Sequence, residues 1–151
     1  SALYLKTQSA LYKRMEKVTA LGKTWRDSDY LVWGDVYNNG SSIITVNFQE
    51  AKEYCEKIGA KLPTAQDFVR LKIGMGGSHL KPKEKGDYKP QILPNLNVHF
   101  SVWTSTTHTL SNGEQQAILF QGMMGRFDEK KINYNQAGVR CVITARDFKK
   151  L

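Results

Sequence analysis

The chain has 151 residues, 40% hydrophobic and 11% aromatic, which suits one domain with a real core and excludes wholesale disorder. No apolar run approaches the ~20 residues that a membrane-spanning helix requires. Lys and Arg number 22 against 14 Asp and Glu, and the net charge of +8 either favours anionic partners or serves as a solvated, solubilising surface.

Residues 2–21 are predicted to form a helix. Leu11, Met15 and Val18 recur at helical spacing, and Tyr4, Leu11 and Val18 stand seven apart. Such a stripe either docks on the domain or forms a short coiled-coil seam through which the chain self-associates. The first 26 residues are basic, with Lys6, Lys13, Arg14, Lys17, Lys23 and Arg26 against Glu16. The chain opens at Ser1 on this amphipathic segment rather than on a secretory leader, as a mature or trimmed chain would. Gly22 ends the helix, and residues 1–27 are expected to be an extension to a domain spanning 28–151.

Tyr30 to Val36 is rich in β-formers and reads as a strand. Asn38-Asn39-Gly40 reads as a tight turn, since Asn and Gly tolerate positive φ, and Ile43 to Val46 as the returning strand. Asn47 then caps a helix, with Glu50 as its capping-box partner. Phe48, Ala51, Tyr54, Cys55 and Ile58 share one face of that helix, and Gly59 ends it. Thr64 caps a second helix that turns Phe68, Val69 and Leu71 inward and ends near Gly74.

A long irregular stretch follows, from Gly74 to Val98, broken by glycines and by Pro82, Pro90 and Pro94. Its Lys81, Lys83 and Lys85 alternate with Pro82 and Glu84, and Lys89 follows. A loop of this length in a compact domain is functional or poorly ordered. Phe100 to Thr106 and Gln116 to Gln121 read as strands around a turn at Ser111-Asn112-Gly113. Gly122 and Gly125 frame a bend, a later loop carries Arg126, Lys130 and Lys131, and Val139 to Thr144 is the last strand before a charged tail. This order gives an α+β domain, with two helices beside antiparallel sheet. Pairing the first strand with the last would bring the chain ends together.

Cys55 and Cys141 both fall in segments that read as buried. From spacing alone they are two free thiols or one disulfide. With His79, His99 and His108 they form no CxxC or HxxxH pattern, so neither zinc nor another cofactor is expected. The histidines also lack a carboxylate or nucleophile at motif spacing, so no catalytic residues are expected.

Four segments in order carry a family resemblance: Leu31-Val32-Trp33; Ala51 through Cys55 with Leu62-Pro63-Thr64; Val102-Trp103-Thr104-Ser105-Thr106; and Gly138-Val139-Arg140-Cys141-Val142. Together they resemble the bacterial DUF1566 family, which includes the C-terminal domain of the Legionella collagen-like adhesin. The match spans residues 28 to 144. It implies a C-type-lectin-like fold, shared with the formylglycine-generating enzyme group. It also implies a disulfide between Cys55 and Cys141, and with it an extracytoplasmic site: secreted, periplasmic or on the cell surface. A loop of this size closed by a disulfide is stabilised by about 4 kcal/mol in the chain-entropy model. Trp33 and Trp103 are expected in the core.

The chain departs from these relatives in two ways. Ala60 and Lys61 replace the tryptophan-arginine pair that often precedes the LPT segment. Leu93-Pro94-Asn95 stands where calcium-dependent lectins carry Glu-Pro-Asn, and leucine cannot ligate calcium. The enzyme relatives use a reactive cysteine pair on a metal, whereas both cysteines here are committed to the implied disulfide. The expectation is therefore a non-catalytic recognition or adhesion module that binds anionic or cell-surface glycans without calcium. Lys81, Lys83, Lys85, Lys89, Arg126, Lys130 and Lys131 are its candidate ligand-binding residues. An oligomeric fibre tip or a protein-interaction domain is the alternative. No nucleic-acid-reading motif accompanies the basic charge.

Overall fold

The computed structural model describes residues 21, 24–26, 31–74, 101–122 and 125–151. Its elements are β1 (Trp25–Arg26), β2 (Leu31–Val36), α1 (Phe48–Lys57), α2 (Ala65–Gly74), β3 (Ser101–Thr109), β4 (Gln115–Gln121), β5 (Arg126–Lys131), β6 (Arg140–Thr144) and α3 (Ala145–Lys149). They form an α+β fold with two three-stranded antiparallel sheets, ordered β1-β2-β6 and β3-β4-β5. The first sheet joins the two ends of the domain, with Val32 opposite Ile143 and Trp33 opposite Val142. The second is a meander of consecutive strands, which its short turns make the natural pairing.

The sheets meet at Gly138. Its N–H donates to the Ser101 carbonyl at 2.8 Å, and its carbonyl accepts from the Trp103 N–H at 3.1 Å. A Cβ here would stand in ordinary van der Waals contact with Ile43, Val36 and Val102, each with an atom 3.6 Å away.

α1 starts as its sequence dictates. The Asn47 side chain accepts from the Glu50 N–H at 2.9 Å, and the Glu50 carboxylate accepts from the Asn47 N–H at 3.2 Å. Gly59 adopts a φ of 81° just past its end. Thr64 and Asp67 form the equivalent reciprocal pair at the start of α2.

Cys55 on α1 is bonded to Cys141 on β6, 86 residues apart, with a Cα–Cα distance of 5.6 Å. That tie stabilises the fold by about 4–5 kcal/mol through the unfolded chain it constrains. Around it pack Ala51, Ile58, Trp103, Ala117, Leu119 and Val139, all buried. A second cluster holds Trp33, Phe68, Phe120 and Phe127. There the Phe68 and Phe120 rings stack with centroids 4.4 Å apart, and Trp33 tilts onto Phe68 at 5.0 Å. Trp33 and Trp103 are both 0% exposed, as their reading as core residues requires. At its Trp103 end the meander is therefore buried on both faces, with Trp103 and Leu119 serving one cluster and Val102, Phe120 and Phe127 the other.

Several expectations need correction. Ile43 to Val46 is not a strand: Ile43 and Val46 make single bridges, to Asn38 and Ala137. The chain leaves β2 because Val46 gives its N–H to the Ala137 carbonyl at 2.8 Å, across the domain. Residues 126–131 are the strand β5, not a loop, because Phe127 alternates into the core between half-buried Arg126 and Asp128. The charged tail begins as the helix α3, which Thr144 caps by accepting from the Asp147 N–H.

β1 and Leu21 precede residue 28, yet both pack on the domain. β1 pairs with β2, and Leu21 is 2% exposed in the disulfide cluster. Gly34 admits it, since a Cβ there would stand 3.0 Å from the Leu21 carbonyl oxygen. The rest of the predicted N-terminal helix, the long stretch after Gly74 and the side chain of Leu71 lie outside the described residues.

Candidate functional site

A groove of about 480 Å³ opens beside the outer edge of β6, where α1, the linker to α2 and the start of α3 converge. The linker holds it open by bonding two ways. Lys61 exchanges both backbone bonds with Val142 of β6, at 2.9 and 2.8 Å, and the Pro63 carbonyl accepts from the Ser105 N–H of β3 at 2.8 Å. Ala65 N–H donates to the Thr106 hydroxyl at 2.9 Å, pinning the first turn of α2 to the same strand.

The groove floor is apolar: Ala60, Leu62, Val142 and Ile143 are buried, and Leu31 is half-buried. Its walls are polar. Lys52 and Glu56 stand one turn apart on α1, both exposed, beside the buried face that carries Cys55. Lys61 and Thr64 come from the linker, Ser105 from β3, and Thr144 and Asp147 from the start of α3. Asp67 is engaged already, accepting from the Thr64 N–H and pairing with Arg70. No ion pair joins Lys52, Glu56, Lys61 or Asp147 to one another among the described residues, and all four are exposed.

A second, shallower hollow of about 320 Å³ lies along the hairpin after β2, lined by Asp35, Asn38, Ser41 and Ser42. Its polar groups are largely spent on the turn. The Asn39 side chain accepts from Ser41 and Ser42 N–H at 3.1 and 2.9 Å, and that of Asn38 from Gly40 N–H at 2.9 Å. Among the described residues no group of three or more His, Cys, Asp or Glu is placed to hold a metal ion.

None of the sequence-predicted basic residues that are described lines this groove. Lys81, Lys83, Lys85 and Lys89 lie outside the described residues. Arg126, Lys130 and Lys131 stand on β5. Arg126 and Lys130 share a face about 13 Å apart with Asp128 between them, whereas Lys131 points to the opposite face. Lys130 lies over the Tyr134 ring at 5.2 Å from its centroid, and Lys131 is 3.4 Å from the Glu114 carboxylate. Of the histidines, His108 is described, and it faces Glu129 at 3.6 Å across the exposed end of the meander.

The groove residues themselves were missed in the sequence reading. The available signals were the i, i+4 pair Lys52 and Glu56 on the polar face of a helix already located, and Lys61 just past the helix-ending Gly59. The convergence of Ser105, Thr144 and Asp147 on them had no local signal, because it depends on which strands pair.

No protein-family model matches the chain, and no match is found among curated proteins. Among solved structures, the crystal structure of botrocetin is similar at 9% identity and a TM-score of 0.45, over 80% of this chain and 96% of that one.

Proposed function

We propose that the chain is a C-type-lectin-like recognition module of the DUF1566 kind, acting outside the cytoplasm and binding glycans without calcium or catalysis. The observation that carries this reading is the Cys55–Cys141 bond, which closes a frame from the first helix to the last strand and sets a mixed polar and apolar groove at its edge. Disulfides persist in oxidising compartments, which supports a place outside the cytoplasm. No described helix is long and apolar enough to cross a membrane. The bond also supports a non-catalytic role, since a buried disulfide offers no thiolate for metal-bound or nucleophilic chemistry.

A glycan array, run with and without calcium at two salt concentrations, tests the proposal. Retention of a defined set of glycans, unchanged by a chelator, is expected. Retention of none, or retention abolished by the chelator, overturns it. Binding to an anionic glycan would rest on Lys81, Lys83, Lys85 and Lys89, and its signature is retention that falls steeply with salt.

A further inference from the structure

Resting on that glycan-binding reading, we infer that the groove beside β6 is the binding seat and that it selects an uncharged, hydroxyl-rich sugar unit rather than a sulfated or phosphorylated one. The argument starts from charge. The chain as a whole carries +8, yet among the described residues the groove walls hold Lys52 and Lys61 against Glu56 and Asp147, with Asp67 already answered by Arg70. An anion placed there is attracted by two ammonium groups and repelled by two carboxylates, so it gains little over water. A neutral ligand meets no such opposition.

Hydrogen-bonding capacity points the same way. The carboxylates of Glu56 and Asp147 only accept, the ammonium groups of Lys52 and Lys61 only donate, and the hydroxyls of Thr64, Ser105 and Thr144 do both. A sugar hydroxyl also does both. One hydroxyl can donate to Glu56 while accepting from Lys52, because the two heads lie one helical turn apart. Both are charge-assisted bonds, the stronger kind. Beneath them, Leu31, Leu62, Val142 and Ile143 offer an apolar floor for the C–H face of a pyranose ring, and the volume lies within the range of small-ligand sites.

A peptide is the less suitable occupant. It would bind an open sheet edge by adding a strand, and the rung at Val142 is already taken by both backbone bonds of Lys61.

The test titrates the full chain with uncharged oligosaccharides of glucose, galactose, mannose and N-acetylglucosamine, and separately with a sulfated heparin hexasaccharide. Glu56→Gln and Lys61→Gln are titrated beside the unsubstituted chain. Both positions are exposed, and circular dichroism with a thermal melt confirms that each variant folds. At least one uncharged sugar is expected to bind with little salt dependence and to weaken about tenfold or more in each variant. Binding of the heparin probe alone, or uncharged-sugar binding that both variants leave intact, overturns the inference while the glycan-binding reading stands. If neither kind of saccharide binds, both fall.

Discussion

The two sheets solve the same local problem with different chemistry. Each carries a register shift, and beside it a buried side chain donates to a backbone carbonyl. In the first sheet, Trp33 and Val36 face Val142 and Arg140, one residue too many on β2, and the Gly34 carbonyl at the bulge accepts from Arg140 Nε at 2.7 Å. In the meander, Trp103 and Thr107 face Leu119 and Ala117, and the Ile118 carbonyl accepts from the Thr104 hydroxyl at 2.7 Å. One sheet uses a guanidinium that is 1% exposed, the other a hydroxyl that is 0% exposed. The first sheet has few local contacts to rely on: its strands come from opposite ends of the domain, and a disulfide and a buried charge fix their register. The meander is templated by its own turns, so a neutral donor suffices.

Removing each donor tests that contrast. Arg140→Met is expected to destabilise the fold by about 3 kcal/mol, since it strips a charge-assisted donor from a site closed to water. Thr104→Val keeps the shape and is expected to destabilise by about 1–2 kcal/mol, since it removes the neutral bond to the Ile118 carbonyl and a longer one that the hydroxyl accepts from the Thr106 N–H at 3.3 Å. Chemical denaturation with the disulfide intact measures both. Equal losses would mean that the two bulges are energetically alike and that the charge adds nothing beyond its hydrogen bond.

The same contrast explains what was legible in the sequence. Elements specified by their own residues are found where they are expected: the capping box at Asn47 and Glu50, the stop at Gly59, the Thr64 cap, and the turn at Ser111-Asn112-Gly113, where Gly113 adopts a φ of 87°. The Cys55–Cys141 bond is also found, but it was implied by the family resemblance; spacing alone left free thiols open. Elements specified by distant partners were misread. Ile43 to Val46 has the composition of a strand, yet Val46 is drawn to Ala137 by tertiary bonding that no local pattern records. β5 has the composition of a loop, with five charged residues around Phe127, and only the packing of that ring on Phe120, at 5.3 Å between centroids, makes the alternation visible. The groove belongs to the second kind, since its walls come from five segments that the paired ends of the chain bring together.

The smallest expected effect probes the margin of the disulfide-tied sheet. Tyr54, next to Cys55 on α1, stacks on Tyr37 just past β2, with ring centroids 4.1 Å apart and planes within 20°. Burial, and secondarily the neighbouring Tyr37 phenol, raises the Tyr54 pKa above its ordinary value of 10.0. The folded state therefore favours the neutral phenol. Below the unfolded value both states hold the proton, and stability does not depend on this group. As pH rises through about 10, the unfolded phenol loses its proton first, so the unfolded state binds fewer protons and stability falls. Lysines titrate in the same window, so the difference from Tyr54→Phe isolates the phenol. The unsubstituted chain is expected to lose slightly more stability than Tyr54→Phe between about pH 9 and pH 11, as read from urea midpoints at each pH. Parallel curves would show that the stack is open to water and that the tie between α1 and β2 is made by the core beneath it alone.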